Sequence, residues 1–192
     1  MQRSEGEATP VKEGRAYGCI FCVTGREQEV ARRIQSMCPE IRATAVLQEK
    51  HKSVNGRKSR IWAVMLPGYV FFEAPDAPAT ISRIPKRDVI RVLKGNEQGW
   101  QLVDRDYEFA DWLFSYDGRV GFSTAYHEGD RIHIVSGPLK DMEGWITRID
   151  RRGRSGQVTV RIGGREMKVW LGFDLLETPL NANGRCSSEE EK

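Results

Sequence analysis

The sequence predicts an α+β domain followed by a small all-β module. Strand-like and helix-like patterns alternate along residues 16–116, as in a sheet flanked by helices. Residues 128–178 show only the period-two alternation of strands, separated by glycine-containing turns. Residues 117–127 contain two glycines and no clear period, which predicts a linker. A chain of 192 residues, 39% of them hydrophobic, is long enough for two small cores.

The composition narrows the class of protein. Residues 1–15 and 179–192 are polar and have little apolar surface to bury, so we expect both to be disordered. No run approaches the roughly 20 apolar residues of a membrane span, and the N-terminus lacks the apolar core of a signal peptide. The four cysteines do not have the spacing of a disulfide scaffold. We therefore expect a soluble cytoplasmic protein with no membrane contact that acts as a monomer.

The α+β domain begins with a predicted strand and helix. Residues 17–23 form a short apolar run that is consistent with a buried strand. Thr24 and Glu27 have the spacing of a capping box, which predicts that a helix begins there. Pro39 ends this helix. Its single apolar face consists of Val30, Ile34, Met37 and Cys38.

The remainder of this domain is predicted as strands with two further helices. A strand at 41–47 is followed by the basic stretch KHKSVNGRKSR at 50–60, where Asn55-Gly56 predicts a hairpin tip. The apolar run at 61–73 is divided into two strands by Pro67-Gly68. The later elements are a short helix at 76–84, a strand at 89–93, and a helix capped by Asp104 with an apolar stripe of Tyr107, Phe109, Trp112, Leu113 and Tyr116.

The all-β module opens with the segment GDRIHIVSGPLKDMEGWITRIDRRGR at 129–154. Gly137 and Gly144 are predicted to lie in turns that need backbone freedom. The predicted core of the segment is Ile132, Ile134, Ile146 and Ile149, and the odd spacing of the last two predicts a bulge or strand end between them. Two more strands present Val158, Val160 and Ile162, and Met167, Val169 and Leu171.

The sequence shows no catalytic or metal-binding constellation. Cys19 and Cys22 have C-x-x-C spacing, but residues i and i+3 of a strand point to opposite faces, so the two thiols do not converge on one metal. The histidines at 51, 127 and 133 have no acidic or serine partner at a recognisable spacing. We expect a non-enzymatic protein with structural cysteines, no metal and no other cofactor.

Three landmarks, in this order, resemble the NusG family of transcription elongation factors. They are the strand and helix at 17–38, the motif Pro67-Gly68-Tyr69-Val70, and the Gly129-Asp130 module with Gly137-Pro138 and Gly144. The resemblance covers residues 16–177. The segments at 136–139 and 149–152 are more similar to specialised antiterminators of the LoaP type. The resemblance implies an NGN domain at 16–116 that binds RNA polymerase and an SH3-like barrel, the KOW domain, at 128–178.

The resemblance also implies a polymerase-binding surface. In the family, the apolar strand around the Pro-Gly-Tyr motif docks on the clamp helices of RNA polymerase. Carried over to this chain, the candidates are Leu66, Pro67 and Tyr69, together with Met65 and Phe71. Tyr69 and Phe71 share one face of a strand, so both belong either to this surface or to the core, and the sequence leaves the two alternatives balanced.

Positive charge identifies candidate nucleic-acid-binding residues. Where the general factor carries an exposed aromatic residue for contacts with Rho or a ribosomal protein, this chain has Gly163, which puts that recruitment in doubt. An excess of cations in the module suits nascent RNA, including an RNA hairpin. These cations are Arg148, Arg151, Arg152, Arg154, Arg161, Arg165 and Lys168. The resemblance also places the basic hairpin near the upstream DNA or the non-template strand, with a solvated loop as the alternative. The candidate contacts in this hairpin are Lys50, Lys52, Arg57 and Lys58.

Together these features predict a transcription elongation factor that promotes processive antitermination of a specific operon through nascent RNA. The alternative within the family is a general factor that couples RNA polymerase to Rho or the ribosome. The alternative from another class is a ribosome-associated RNA-binding protein, because KOW-type barrels also occur there.

Overall fold

The computed structural model is a mixed α/β structure with several sheets and few helices. It describes residues 14–54, 57–77, 79–95, 99–129 and 131–176, except for the side chains of residues 53, 54, 57 and 58. The predicted hairpin tip Asn55-Gly56 and most of both predicted disordered ends lie outside these residues. Arg15, which we had included in the disordered N-terminus, instead begins the first strand.

The elements follow one another as twelve strands, four α-helices and a 3₁₀ turn among the described residues. In chain order they are β1 Arg15–Cys22, α1 Glu27–Met37, β2 Arg42–Ala45, β3 Leu47–Val54, β4 Arg57–Val64, β5 Tyr69–Pro75, α2 Thr80–Arg83, β6 Val89–Val92, α3 Asp104–Ser115, β7 Arg119–Val120, β8 Ser123–Glu128, β9 Arg131–Ser136, α4 Pro138–Asp141, the 3₁₀ turn Glu143–Trp145, β10 Ile146–Asp150, β11 Ser155–Ile162 and β12 Arg165–Leu175.

The chain divides into two compact units. Unit 1 comprises Met1–Val46, Leu66–Gly118 and Arg161–Arg165. Unit 2 comprises Leu47–Met65, Arg119–Val160 and Glu166–Lys192. The division differs from the domain boundaries that we predicted, because the β3–β4 hairpin groups with the C-terminal strands and the turn between β11 and β12 groups with unit 1.

Unit 1 contains an antiparallel sheet with the strand order β2-β5-β1-β6. One face of this sheet packs against α1, where Ile20, Val30, Ile34 and Phe72 are fully buried. On the other face the ring of Phe71 meets the ring of Phe109 from α3, with their centroids 5.8 Å apart. This is the sheet flanked by helices that the alternating patterns predict.

The cysteines occupy the two faces of this sheet. Cys22 is buried in the core beneath α1, whereas Cys19 is buried on the side of Asp106 in α3. Burial raises the pKa of Cys22 to about 11, and it raises the pKa of Cys19 as well. A thiol with a raised pKa is a poor nucleophile and metal ligand at neutral pH. The prediction that the two side chains point to opposite faces is confirmed.

The capping box predicted at the start of α1 is wrong. The helix begins at Glu27 after the N-cap residue Arg26, which among the described residues makes no side-chain capping bond. The buried Glu27 carboxylate instead accepts hydrogen bonds from the N–H groups of Gly25, at 2.9 Å, and Gly68, at 2.7 Å. Gly25 has a positive φ of 87°, so the chain turns before the helix and Thr24 lies too early to cap it.

The second capping prediction is also wrong, although the apolar stripe of α3 is confirmed. The N-cap of α3 is Val103, and Asp104 is the first helical residue, with a positive φ of 51°. Phe109, Trp112 and Leu113 are buried. The remaining stripe residues, Tyr107 and Tyr116, are half-buried.

Unit 2 contains a five-stranded sheet with the order β10-β11-β12-β8-β9 and a three-stranded sheet with the order β4-β3-β7. Strands β7 and β8 occupy most of the segment that we predicted as a linker, and β8 pairs with both β9 and β12. The prediction was wrong because the buried residues of β8 are Ser123 and Ala125, which are too small and too polar to produce an apolar alternation.

The residues predicted as the core of segment 129–154 are only partly buried. Ile134 is buried, but Ile132, Ile146 and Ile149 are half-buried and line a cavity of about 450 Å³. The pairing of β10 with β11 changes register between Ile146 and Arg148, which confirms the predicted bulge. The segment is not purely β, since α4 and the 3₁₀ turn follow Gly137. None of the described helices is long and apolar enough to cross a membrane.

Replacing Glu27 with Ala should destabilise unit 1 in a pH-dependent way. Burial alone would raise the pKa of Glu27, but the hydrogen bonds from Gly25 and Gly68 outweigh it and lower the pKa below its ordinary value of 4.5. The carboxylate therefore stabilises the fold above that value, and this contribution disappears as the pH falls through the lower folded-state pKa. We expect a loss of about 1.5–3 kcal/mol at neutral pH, as for hydrogen bonds to charged groups.

Urea denaturation followed by circular dichroism measures this loss. The control is Gln28→Ala at the neighbouring exposed position, which should change the free energy of unfolding by less than about 0.5 kcal/mol. A Glu27→Ala variant as stable as the wild type at neutral pH, or a difference that grows in acid, would contradict the assigned hydrogen bonds.

Candidate nucleic-acid interface

The Pro-Gly-Tyr turn presents one of the five predicted polymerase-binding residues to solvent. Pro67 is exposed. The other four are buried, with exposed fractions of 6% for Met65, 4% for Leu66, 7% for Tyr69 and 0% for Phe71. Tyr69 packs against Phe21 with ring centroids 5.3 Å apart. Tyr69 and Phe71 therefore share one environment, and in this structure that environment is the core.

Hydrogen bonds hold the turn rigidly. The N–H of Gly68 donates to Glu27, and its carbonyl oxygen accepts from the N–H of Cys22 at 2.8 Å. Gly68 has a positive φ of 84°, and a Cβ there would lie 3.0 Å from the Phe21 ring. Only glycine fits this position without strain. The hydrogen bonds and conformation of Gly68 therefore fix the position of the neighbouring Pro67.

Two exposed apolar residues lie near this turn at the same end of the sheet. Val23, which is 45% exposed, follows Cys22 and donates its N–H to the carbonyl oxygen of Asp88. Ile90, which is 58% exposed, lies on the edge strand β6. We call Val23, Pro67 and Ile90 the apolar edge. Hydropathy did not identify Val23 and Ile90, because it does not show which strand is the edge of a sheet.

The predicted nucleic-acid-binding cations are exposed wherever their side chains are described. They are divided between the two units. Unit 2 contains Lys50, Lys52, Arg148, Arg151, Arg152, Arg154 and Lys168. Unit 1 contains Arg161 and Arg165. The side chains of Arg57 and Lys58 lie outside the described part of the chain.

The backbone conformation and the neighbours of Gly163 leave little room for a side chain at this position. Its φ is 55°, and a Cβ would lie 3.2 Å from the Leu93 side chain. Its N–H donates to the Asp106 carboxylate at 3.1 Å. Burial raises the pKa of Asp106, although this hydrogen bond and the charge of Arg161 oppose the rise. A side chain at position 163 is therefore sterically disfavoured.

The arginine-rich turn between β10 and β11 is held by two hydrogen bonds. The Asp150 carboxylate accepts from the N–H of Gly153 at 3.0 Å. The carbonyl oxygen of Arg154 accepts from the N–H of Phe173 at 2.9 Å. The turn therefore has a defined backbone from which its arginine side chains project into solvent.

A groove in unit 2 brings together cations from the two predicted basic segments. We call this cavity of about 270 Å³ the basic groove. Its lining is Glu49, Lys50, His51, Phe122, Gly153, Arg154, Ser155, Trp170 and Gly172. Lys50 comes from the β3–β4 hairpin, and Arg154 comes from the β10–β11 turn. Sequence spacing alone does not show that these distant segments meet.

Phe122 forms the floor of the basic groove. A Cβ on Gly172 would lie 1.8 Å from the Phe122 ring, so the ring lies directly across this glycine. His51 stacks on Phe122 at 4.6 Å with an interplanar angle of 29°, and the Arg60 guanidinium lies 4.8 Å from the ring centroid. Arg60 is itself fixed by Asp174 at 2.5 Å. The hairpin is therefore anchored to β12 through one aromatic ring.

The described residues contain no cluster of three or more His, Cys, Asp or Glu side chains that could hold a metal. The candidate functional surfaces among the described residues are the apolar edge of unit 1 and the basic groove of unit 2.

Comparison with known proteins supports the NusG resemblance. No protein-family model matches the chain. The chain is 27% identical over 128 residues to the transcription termination/antitermination protein NusG of Thermus thermophilus, an alignment that covers 62% of this chain and 69% of that protein. A solved structure that concerns domain interaction in Thermotoga maritima NusG matches with a TM-score of 0.46 and 20% identity, covering 82% of this chain and 93% of that one.

Proposed function

We propose that this NusG homologue is a non-enzymatic transcription elongation factor that binds RNA polymerase through unit 1. The sequence similarity to a termination/antitermination NusG supports the general role. The observation that carries the polymerase contact is the apolar edge, where the exposed residues Pro67, Val23 and Ile90 come from the neighbouring strand ends of β5, β1 and β6. Exposed apolar residues grouped in this way are typical of protein interfaces. The proposed partner is the pair of clamp helices.

The buried residues of the predicted polymerase surface have a supporting role in this proposal. Met65, Leu66, Tyr69 and Phe71 lie inside the fold, so they act by holding Pro67 in place. Energetically important interface residues are often surrounded by neighbours that only exclude water and fix the geometry. The contact itself then falls to the apolar edge.

The finer proposal is antitermination of a specific operon through nascent RNA. This proposal is supported by the exposed arginine turn of unit 2. We propose that unit 2 contains a KOW-type module. Arginine binds phosphates in a bidentate manner and also stacks on unpaired bases. Gly163 offers no side chain for the protein recruitment of the general factor. The hairpin residues Lys50 and Lys52 add positive charge for RNA or for non-template DNA.

Replacing Ile90 with Lys should weaken polymerase binding. An edge strand tolerates lysine, so the fold should persist while one apolar contact is replaced by a charge. We expect about a tenfold loss in affinity for RNA polymerase, measured by biolayer interferometry, as for loss of a moderate interface contact. Met37→Lys is the matched control, because Met37 is also exposed in unit 1 but lies at the end of α1. Equal losses for both variants, or none for Ile90→Lys, would exclude the apolar edge.

The triple variant Arg151→Ala/Arg152→Ala/Arg154→Ala should bind RNA more weakly and with less dependence on salt. For single strands, each lost phosphate contact lowers the slope of log affinity against log salt by about 0.7. A gel-shift titration at several salt concentrations measures both effects. The ligand is the leader RNA of the operon that the protein is proposed to control. The control removes three exposed arginines of unit 1, Arg26, Arg32 and Arg83. If both variants bind RNA equally, the arginine turn is not the RNA site.

A further inference from the structure

We propose that the basic groove binds an unpaired RNA nucleotide, with the base among its aromatic side chains and the phosphate between Lys50 and Arg154. The inference rests on the proposed RNA-binding function and assigns it a substrate class, single-stranded RNA. The arginine turn by itself needs only the phosphate groups of a ligand for binding. The groove adds a place for a base.

The size of the groove fits one nucleotide. Its volume of about 270 Å³ lies just below the roughly 300–1,000 Å³ of sites for drug-sized ligands. The groove is bounded by strand β3 on one side and by β12 and the β10–β11 turn on the other. A duplex cannot enter a space of this size, whereas a single base that has left its stack can.

The lining supplies the chemistry that holds an unpaired base. His51, Phe122 and Trp170 place three aromatic rings in one small cavity. The Phe122 ring packs against Gly172 and His51 and supports the His51 ring, so a base in the groove would stack on His51 or Trp170. Stacking on aromatic side chains is tolerant of sequence because every base has a π-face.

The charges of the groove favour a phosphate. Lys50 and Arg154 are both exposed, and no carboxylate of the described residues lies within 4.0 Å of their side-chain nitrogens. The acidic residue of the lining is Glu49, which is paired with Arg60 at 3.7 Å. The groove therefore carries two cations not committed to an ion pair beside aromatic rings. A protein partner with acidic side chains would use the cations but would leave the aromatic cavity without a role.

The test compares intact with abasic RNA on the full-length protein. Fluorescence anisotropy is measured with a labelled RNA of about eight nucleotides, within the roughly 4–16 nucleotides of comparable single-strand sites. The comparison ligands are the same strand lacking its bases, an RNA duplex, and poly-glutamate as competitor. We expect the abasic strand to bind about 5- to 150-fold more weakly, which is the range for one stacked base. The duplex should also bind more weakly than the intact single strand.

A matched pair of variants locates the effect. Lys50→Gln/Arg154→Gln removes the two groove cations, and Arg131→Gln/Lys140→Gln removes the same charge from exposed positions of unit 2 outside the groove. Only the groove pair should reduce the preference for intact over abasic RNA. Photo-cross-linking of 5-iodouridine RNA to the wild-type protein, mapped by mass spectrometry, should identify Trp170, Phe122 or His51 and does not depend on the folding of any variant.

The outcomes separate this inference from the proposed function. Equal affinity for intact and abasic RNA, or cross-links confined to other residues, would overturn the groove as a base site while the effect of the arginine triple variant still supports RNA binding. Competition by poly-glutamate as effective as that by RNA would assign the groove to an acidic protein. A wild-type protein that binds no RNA would overturn both proposals, although polymerase binding through the apolar edge would be unaffected.

Discussion

The buried carboxylate of Glu27 is the interaction on which the candidate polymerase surface depends. It accepts hydrogen bonds from Gly25, before α1, and from Gly68, in the turn between β4 and β5. A buried charge is tolerated only when it is compensated by hydrogen bonds or an opposite charge, and here two backbone N–H groups provide that compensation. The same bonds fix the turn that presents Pro67. The stability of unit 1 and the shape of its apolar edge thus have a common origin.

Unit 2 is organised around an apolar ring instead of a charge. Phe122 lies across Gly172 and under His51 and Arg60, and it anchors the β3–β4 hairpin to β12. Without a side chain at position 172 there is room for the ring, and with the ring in place Lys50 and Arg154 border one cavity. A packing constraint therefore creates the site at which two basic segments can act on one ligand.

Much of the fold follows from local patterns, and the differences have identifiable physical causes. The period-two and helical patterns predicted most elements of unit 1, and the irregular spacing of Ile146 and Ile149 predicted the bulge in β10. Strand β8 was missed because its buried residues are Ser123 and Ala125. The cap of α1 was misplaced because Glu27 bonds to Gly68, about forty residues away, and no local pattern reports such a contact.

Local sequence patterns also predicted the candidate sites only in part. Composition identified the exposed arginines, but not the Phe122 ring that brings Lys50 to Arg154. The Pro-Gly-Tyr motif identified the turn, but strand parity left open whether Tyr69 lies on the surface or in the core, and long-range packing placed it in the core.

The central claim is that this protein promotes antitermination, and single-round transcription in vitro tests it most directly. Purified RNA polymerase transcribes a template with the leader upstream of an intrinsic terminator, with and without the full-length protein. Antitermination by this protein predicts increased read-through when the leader is present and no increase when the leader is deleted. Unchanged read-through on the complete template, despite binding of the protein to polymerase, would contradict it.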